Sequence, residues 1–370
     1  MGLRLIVSGG GTGGHIFPAI SIAQAVKAAV PDAEILFVGA EGRMEMEKVP
    51  AAGFDIVGLP VVGIQRSFTL KNLAVPFKLL KSLRQARRII KDFNPDVVVG
   101  VGGYASGPTL YAASGMGIPT LIQEQNSFAG LTNKLLARRA KKICVAYEGM
   151  EKFFPKEKIM LTGNPVRSDL SKRKINGLRR EAQEFFNLDP CKQTILVLGG
   201  SLGAKTINTS ISKNLDLLAH SNVQLIWQTG KSYIFDARRV LSSYSVPNVK
   251  AFDFIYSMDL AYAAADLVVS RAGAGTISEL CLVGKPCILV PSPNVAEDHQ
   301  TKNAMSLVSR EAAVMVNDDE AVQKLVAAAI ELVMDNQHLN ALAENVYGLA
   351  LTNSATIIAN EVIKLATEKR

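Results

Sequence analysis

Short apolar runs alternate with stretches of helical period along most of the chain. Residues 3–8, 34–38, 55–59, 96–101, 120–122, 143–146 and 159–162 read as buried strands, with helical patterns between most of them. An amphipathic helix is expected over about 17–29, directly after the first glycine run. Another is expected over about 76–93. At about 100° per residue its Leu79, Leu83, Ala86, Ile90 and Phe93 form a core stripe. Its opposite side gathers Lys81, Arg84, Arg88 and Lys91, with Phe77 among them and Leu80 at the flank. The alternation breaks near residues 163–167, and a charged stretch follows over 168–184. It then restarts with strands at 194–198, 223–228, 249–252, 267–270, 287–290 and 313–316, and ends in helical sequence from about 321. Strands alternating with helices imply parallel sheets covered on both faces, so the expected class is α/β with two doubly wound domains. The domains are placed at 1–164 and 165–345, with a terminal segment 346–370.

A chain of 370 residues is long for one core, and its 48% hydrophobic content suffices for two. The net charge of +8, from 41 Lys+Arg against 33 Asp+Glu, points to an anionic partner: nucleic acid, membrane or substrate. Cys144, Cys191, Cys281 and Cys287 show no paired spacing and no nearby histidines, so neither a disulfide nor a structural zinc is expected. No signal peptide and no membrane-spanning run is expected either, so the protein is expected to be soluble or peripheral.

The chemistry concentrates where strands end. The strand at 267–270 runs through Arg271-Ala272-Gly273-Ala274-Gly275 into a helix, which makes an anion site: glycines let the backbone approach, and the first helical turn offers N–H groups and a positive dipole end. A diphosphate suits it. Glu279, about one turn further in, is placed for a ribose diol. The polar run 294–303 that follows the strand at 287–290 offers partners for sugar hydroxyls. Two more glycine loops follow the opening strands of the two halves, at 9–14 and at 199–204. Gly9, Gly11 and Gly14 satisfy a dinucleotide fingerprint, and with Glu41 near the end of the next strand they keep an NAD-dependent oxidoreductase open. His15 directly follows this loop and reads as a general base or as a helix cap. Gly102-Gly103-Tyr104 and Gln123-Glu124-Gln125-Asn126 follow two further strands of the first half and read as an acceptor pocket, or as loop solvation and capping. Two such domains place their strand ends across one cleft, with a donor held by one and an acceptor by the other. No Asp-x-Asp triplet occurs and the histidines are scattered, so no metal is expected; helix N-termini and Arg167 are expected to hold the diphosphate.

In order along the chain, Gly10-Gly11-Thr12-Gly13-Gly14-His15, Gly102-Gly103-Tyr104, Glu124-Gln125-Asn126, Ala129-Gly130-Leu131-Thr132-Asn133-Lys134, Gly163-Asn164-Pro165-Val166-Arg167, Gly199-Gly200-Ser201, Gly275-Thr276-Ile277-Ser278-Glu279 and the segment 300–304 resemble one family. It is the bacterial peptidoglycan N-acetylglucosaminyltransferase family, which converts lipid I to lipid II. The resemblance implies a GT-B fold of two Rossmann-like domains, with the last helix packing back on the first. It implies that Thr12, Gly13, Gly14 and Asn126 line the site on the first domain. Arg167 and Ser201 then face the donor diphosphate, Ile255 the uracil, and Ala274, Gly275, Thr276 and Ser278 the diphosphate and sugar. Glu279 takes the ribose and Gln300 the N-acetylglucosamine hydroxyls. Leu202 and Gln123 depart from the family's usual Gln and His, which puts a polar donor contact from residue 202 in question.

The expected enzyme is an inverting hexosyltransferase with UDP-N-acetylglucosamine and lipid I as substrates and no cofactor. His15, Glu124 and Asn126 are the catalytic candidates, and Gly102, Gly103 and Tyr104 form an acceptor loop. The expected location is peripheral, at the cytoplasmic face of the bacterial inner membrane. Phe77, Leu80, Lys81, Arg84 and Arg88 would then meet an anionic membrane. Cell-wall synthesis and division proteins are expected partners, and nucleic acid is not. Rival readings are a nucleotide-sugar epimerase, a glycolipid glucosyltransferase and a nucleotide-sensing binding module.

Overall fold

The computed structural model describes residues 2–61, 75–166, 170, 172–200, 203–244 and 246–368. The chain divides into two compact units, one made of residues 1–166 with 352–370 and the other of residues 167–351.

The first unit holds a seven-stranded parallel sheet built from β1 (Arg4–Ser8), β2 (Glu34–Ala40), β3 (Asp55–Leu59), β4 (Val97–Gly100), β5 (Thr120–Glu124), β6 (Lys142–Val145) and β7 (Ile159–Leu161), in the order β3-β2-β1-β4-β5-β6-β7. Period-two alternation divides β1 between the two faces. Leu5 and Val7 pack with Ile16, Ile22 and Val26 of the helix Gly13–Ala29, whereas Ile6 packs with Ala86, Ile90 and Leu110 on the other side. The final helix Ser354–Glu368 covers the first of these faces with Ile358, Val362 and Leu365 and lies against the helix Gly13–Ala29.

The second unit holds β8 (Gln193–Leu198), β9 (Val223–Gln228), β10 (Val249–Phe252), β11 (Leu267–Ser270), β12 (Cys287–Leu289) and β13 (Val314–Met315), all parallel, in the order β10-β9-β8-β11-β12-β13. Ile195 and Val197 enter one core layer, and Leu196 and Leu198 the other. In each sheet the chain reverses its direction of growth beside the first strand, so the switch points lie between β1 and β4 and between β8 and β11. Ligands of open α/β sheets bind outside the strand carboxyl ends at such points.

Three expectations change. The first helix begins at Gly13 and not near Phe17, because Thr12 takes the extended N-cap conformation and its carbonyl accepts from both His15 and Ile16. Glycine's poor helix propensity yields to that geometry. Leu79 is 49% exposed, while Ser82 is buried and donates to the Lys78 carbonyl; the core stripe of the helix Val75–Phe93 is Ser82, Ala86 and Ile90, with Phe93 packed against the same core as expected. The helical tail is three helices, Ala321–Met334, Asn336–Gly348 and Ser354–Glu368, and the chain rejoins the first unit at Thr352 and not at 346.

Candidate functional site

In the first unit, the loops after β1, β4 and β5 meet at the switch point. A Cβ on Gly103 would lie 2.3 Å from the Gly10 carbonyl oxygen, so the two glycine loops touch backbone to backbone. The His15 imidazole rests on Gly102, where a Cβ would come within 2.9 Å of the ring. Gly102 has φ +93°, a conformation glycine adopts without strain. His15 sits inside the first helical turn and does not cap it; its Nδ1 is 3.4 Å from Thr12 Oγ1. Tyr104, next to Gly103 in the chain, is exposed.

The loop after β5 is organised from within. Glu124 is buried, and its Oε1 accepts from the Asn126 backbone N–H at 3.1 Å and from Asn126 Nδ2 at 3.4 Å. Its Oε2 accepts from Gly130 N–H at 3.0 Å and from Asn133 Nδ2 at 2.8 Å. Burial pushes the Glu124 carboxyl above its ordinary value, against the pull of these donors from Asn133, Asn126 and Gly130. Both oxygens are therefore committed to the loop. Through these bonds Glu124 holds Asn126 in place. Beneath the loop, Gln123 Nε2 donates to Asn164 Oδ1 at 3.0 Å, and Asn164 Nδ2 donates to the Gln125 carbonyl at 3.0 Å. Gln125 Nε2 donates to the Val101 carbonyl at 2.8 Å. Gln123 is thus a buried structural amide, tying the 163–166 segment to the loops after β4 and β5.

One donor of the first glycine loop is already engaged. The Gly11 N–H already donates to the buried Glu45 carboxylate at 2.9 Å, and that acid would oppose an anion there. Glu41 lies over Gly58 of β3, where a Cβ would meet its Cγ at 2.7 Å. Both observations count against the NAD reading.

In the second unit, Gly273 is the N-cap of the helix Ala274–Val283, which starts at the switch point. The first N–H groups of such a helix have no intrahelical acceptor, so this end presents donors and positive dipole. Ala274, Gly275, Thr276 and Ser278 all lie in its first turns, and Ser278 Oγ donates to the Ala274 carbonyl at 3.0 Å. Glu279 is half-buried and its Oε2 accepts from the buried Tyr262 hydroxyl at 2.8 Å. Gln300 uses its carbonyl on the Ser292 N–H at 2.8 Å, so its NH2 is what it has to offer a sugar. Ile255 is buried in the core and donates its N–H to Gln228 Oε1 at 3.0 Å, while Gln228 Nε2 donates to the Gly200 carbonyl at 3.1 Å. Gln228 therefore joins the loop after β10 to the second glycine loop. Arg271 is committed to the scaffold: it donates to the carbonyls of Val290 and Pro291 and pairs with Asp318, which also accepts from Thr206.

Nothing in their sequence context singles out Tyr262, Gln228 and Glu45, since each acts through a contact far along the chain, and Asn164 stands out only as part of the 163–167 motif. Arg167, Ser201 and Leu202 lie outside the described residues, as does the side chain of Phe77. Among the described residues no group of three or more His, Cys, Asp or Glu could hold a metal ion.

The glycosyltransferase family 28 N-terminal domain matches residues 5–145 and the family 28 C-terminal domain matches residues 194–361. The chain is 60% identical over 366 residues to a Parabacteroides distasonis protein named UDP-N-acetylglucosamine–N-acetylmuramyl-(pentapeptide) pyrophosphoryl-undecaprenol N-acetylglucosamine transferase, covering 99% of each chain. A Phocaeicola vulgatus protein of the same name is 60% identical, over 100% of this chain and 98% of that one. Among solved structures, MurG of Acinetobacter baumannii is similar at TM-score 0.78 and 30% identity, over 98% of this chain and 99% of that one. A UDP-GlcNAc 2-epimerase from Neisseria meningitidis shares the fold at TM-score 0.66 and 15% identity, over 98% and 99% of the two chains. Two Rossmann-like parallel-sheet units in succession, matched across both halves, make this a GT-B fold. The chain belongs to glycosyltransferase family 28 and, within it, to the UDP-N-acetylglucosamine–N-acetylmuramyl-(pentapeptide) pyrophosphoryl-undecaprenol N-acetylglucosamine transferases.

Proposed function

We propose that the chain transfers N-acetylglucosamine from UDP-N-acetylglucosamine to the muramic acid C4 hydroxyl of lipid I, giving lipid II with inversion at the anomeric carbon. The observation that carries this is 60% identity over essentially the whole chain to enzymes named for that transfer. The site chemistry agrees with it. The second unit receives the donor: the helix beginning at Ala274 faces the diphosphate, Glu279 the ribose diol and Gln300 the sugar. The first unit supplies the acceptor side through His15, the loop 102–104 and Asn126.

The reaction is a single displacement. The acceptor oxygen attacks the anomeric carbon, the bond to the diphosphate oxygen breaks, and UDP leaves with the electron pair. With Nδ1–H donated to Thr12 Oγ1, His15 takes the acceptor proton on Nε2. Charge growing on the departing diphosphate is met by the positive end of the helix Ala274–Val283 and by Arg167, so the step proceeds without a metal. Labelled UDP-N-acetylglucosamine incubated with a short-chain lipid I analogue and EDTA tests the whole reading. Formation of the disaccharide product is expected; no transfer, or transfer that returns only with added metal, refutes it.

Glu279→Ala is expected to raise the donor KM about tenfold or more, because a hydrogen bond to a charged group contributes on the order of 1.5–3 kcal/mol and is present in ground and transition states alike. Tyr262→Phe leaves that carboxylate in place without its orienting hydroxyl, and a smaller rise of a few-fold is expected. Steady-state kinetics in the donor read both. An unchanged KM in Glu279→Ala removes Glu279 from the ribose site.

The enzyme works as a peripheral protein at the cytoplasmic leaflet, where lipid I is presented, and alongside other cell-wall synthesis and division proteins. None of the described helices is long and apolar enough to cross a membrane. The helix Val75–Phe93 instead exposes Lys78, Lys81, Arg84, Arg87, Arg88 and Lys91, with Leu79 and Leu80 half-exposed among them. An anionic surface attracts each nearby basic residue by roughly 1 kcal/mol, and the leucines can enter the interface. Arg84→Glu with Arg88→Glu is expected to weaken binding to anionic vesicles and turnover of full-length lipid I, while turnover of a water-soluble acceptor survives. Equal losses on both acceptors, or none, exclude this face as the contact.

A further inference from the structure

Glu45 is a buried acid that the transfer chemistry does not use. It opens the short helix Glu45–Ala51 after β2, has no exposed surface, and spends its oxygens on two backbone groups: Oε1 accepts from Ala40 N–H at 3.0 Å and Oε2 from Gly11 N–H at 2.9 Å. Two glycines make room for it. A Cβ on Gly10 would lie 2.1 Å from Oε1, and one on Gly39 would lie 2.6 Å from Cγ. The end of β2, the first glycine loop and this side chain are therefore fitted to one another. Gly11 has φ +87°, and its N–H turns in toward Glu45. The next residue is Thr12, whose carbonyl starts the helix and whose Oγ1 meets His15 Nδ1.

Burying a carboxylate on two neutral donors is costly, so the choice of side chain is informative. A carboxylate offers two acceptors and no donor, which suits two converging N–H groups; an amide would turn its NH2 against one of them. We propose that Glu45 is the positioning residue of the first glycine loop, fixing Gly11 and Thr12, and through them the imidazole of His15, for proton transfer from the acceptor hydroxyl. This rests on the reading of His15 as the base. The same carboxylate takes the Gly11 N–H, so that group is not available to a phosphate.

The test uses the full chain with UDP-N-acetylglucosamine and a water-soluble lipid I analogue, and compares Glu45→Gln, Glu45→Asp, His15→Ala and Glu45→Gln with His15→Ala. Asp keeps the charge but is one methylene short of spanning both N–H groups. Each Glu45 variant is expected to fold and to lose about 10–100-fold in kcat, the cost of misplacing a reacting group, with donor KM within about twofold. The double variant is expected to lose no more than His15→Ala alone, because Glu45 acts through that imidazole. Wild-type kcat in the Glu45 variants, or losses that multiply in the double variant, overturn the inference while leaving His15 as the base. Failure of both Glu45 variants to fold makes the residue purely structural and overturns it too. A nearly fully active His15→Ala removes the base itself, and the inference with it.

Discussion

His15→Ala is expected to lower kcat by about two to four orders of magnitude while the donor KM and the melting temperature stay close to their original values. The argument separates catalysis from architecture. His15 lies in the first turn of the helix Gly13–Ala29, and its own N–H donates to the Thr12 carbonyl, a bond that alanine keeps. The ring contributes a 3.4 Å contact to Thr12 Oγ1, too long to stabilise the fold by more than a fraction of a kcal/mol. It also contributes its packing on Gly102. What alanine removes is the group that accepts the acceptor proton. Gly102→Ala is the companion variant: its Cβ would come within 2.9 Å of the imidazole, so kcat should fall with His15 still present. Single-turnover rates and thermal melts of both variants measure the two quantities separately. A stable, nearly fully active His15→Ala would end the general-base assignment.

The features legible in the sequence are those written locally. Strands announce themselves as short apolar runs, and β1, β4 and β8 are each followed by glycines where backbone comes close to backbone: Gly103 against Gly10, and Gly203 against the Thr229 carbonyl. The residues that hold the site's shape were illegible for the opposite reason. Tyr262 reaches Glu279 from a neighbouring helix, Gln228 reaches Ile255 from the next strand, and Asn164 meets Gln123 across 41 residues. One sequence carries no record of such pairings. Its place near a strand end draws Glu41 toward the glycine loop, while the acid that reaches the loop is Glu45, at the start of the following helix. Period alone places Leu79 in the core. Periodicity names a helix face but not how far the sheet beneath it extends, and at that end of the helix Ser82 is the residue turned inward, with its hydroxyl on the Lys78 carbonyl and near that of Pro60.

Glu124→Ala is expected to destabilise the first unit by about 2–5 kcal/mol and to abolish most activity on any acceptor. Alanine leaves the N–H groups of Asn126 and Gly130 and the Asn133 amide without their acceptor, and leaving a buried donor unsatisfied costs about 1–3 kcal/mol apiece, less where water enters the cavity. For a domain of this size about 2–4 °C is lost per kcal/mol, so a drop of roughly 4–20 °C is expected. Glu124→Gln removes the titration; its NH2 faces donors, an offset that does not change with pH. Burial raises the Glu124 carboxyl above 4.5, so the folded chain binds this proton more readily than the unfolded one. The stability linked to this titration is complete below 4.5 and is lost as pH rises through the folded value. Glutamine cannot titrate, so the stability of the original protein minus that of Glu124→Gln should increase as pH falls from about 7 to about 5, read from denaturant midpoints at each pH. A difference that shrinks over that range would mean that the four donors from Asn126, Gly130 and Asn133 outweigh burial. Glu124 would then be a carboxylate held charged by its loop.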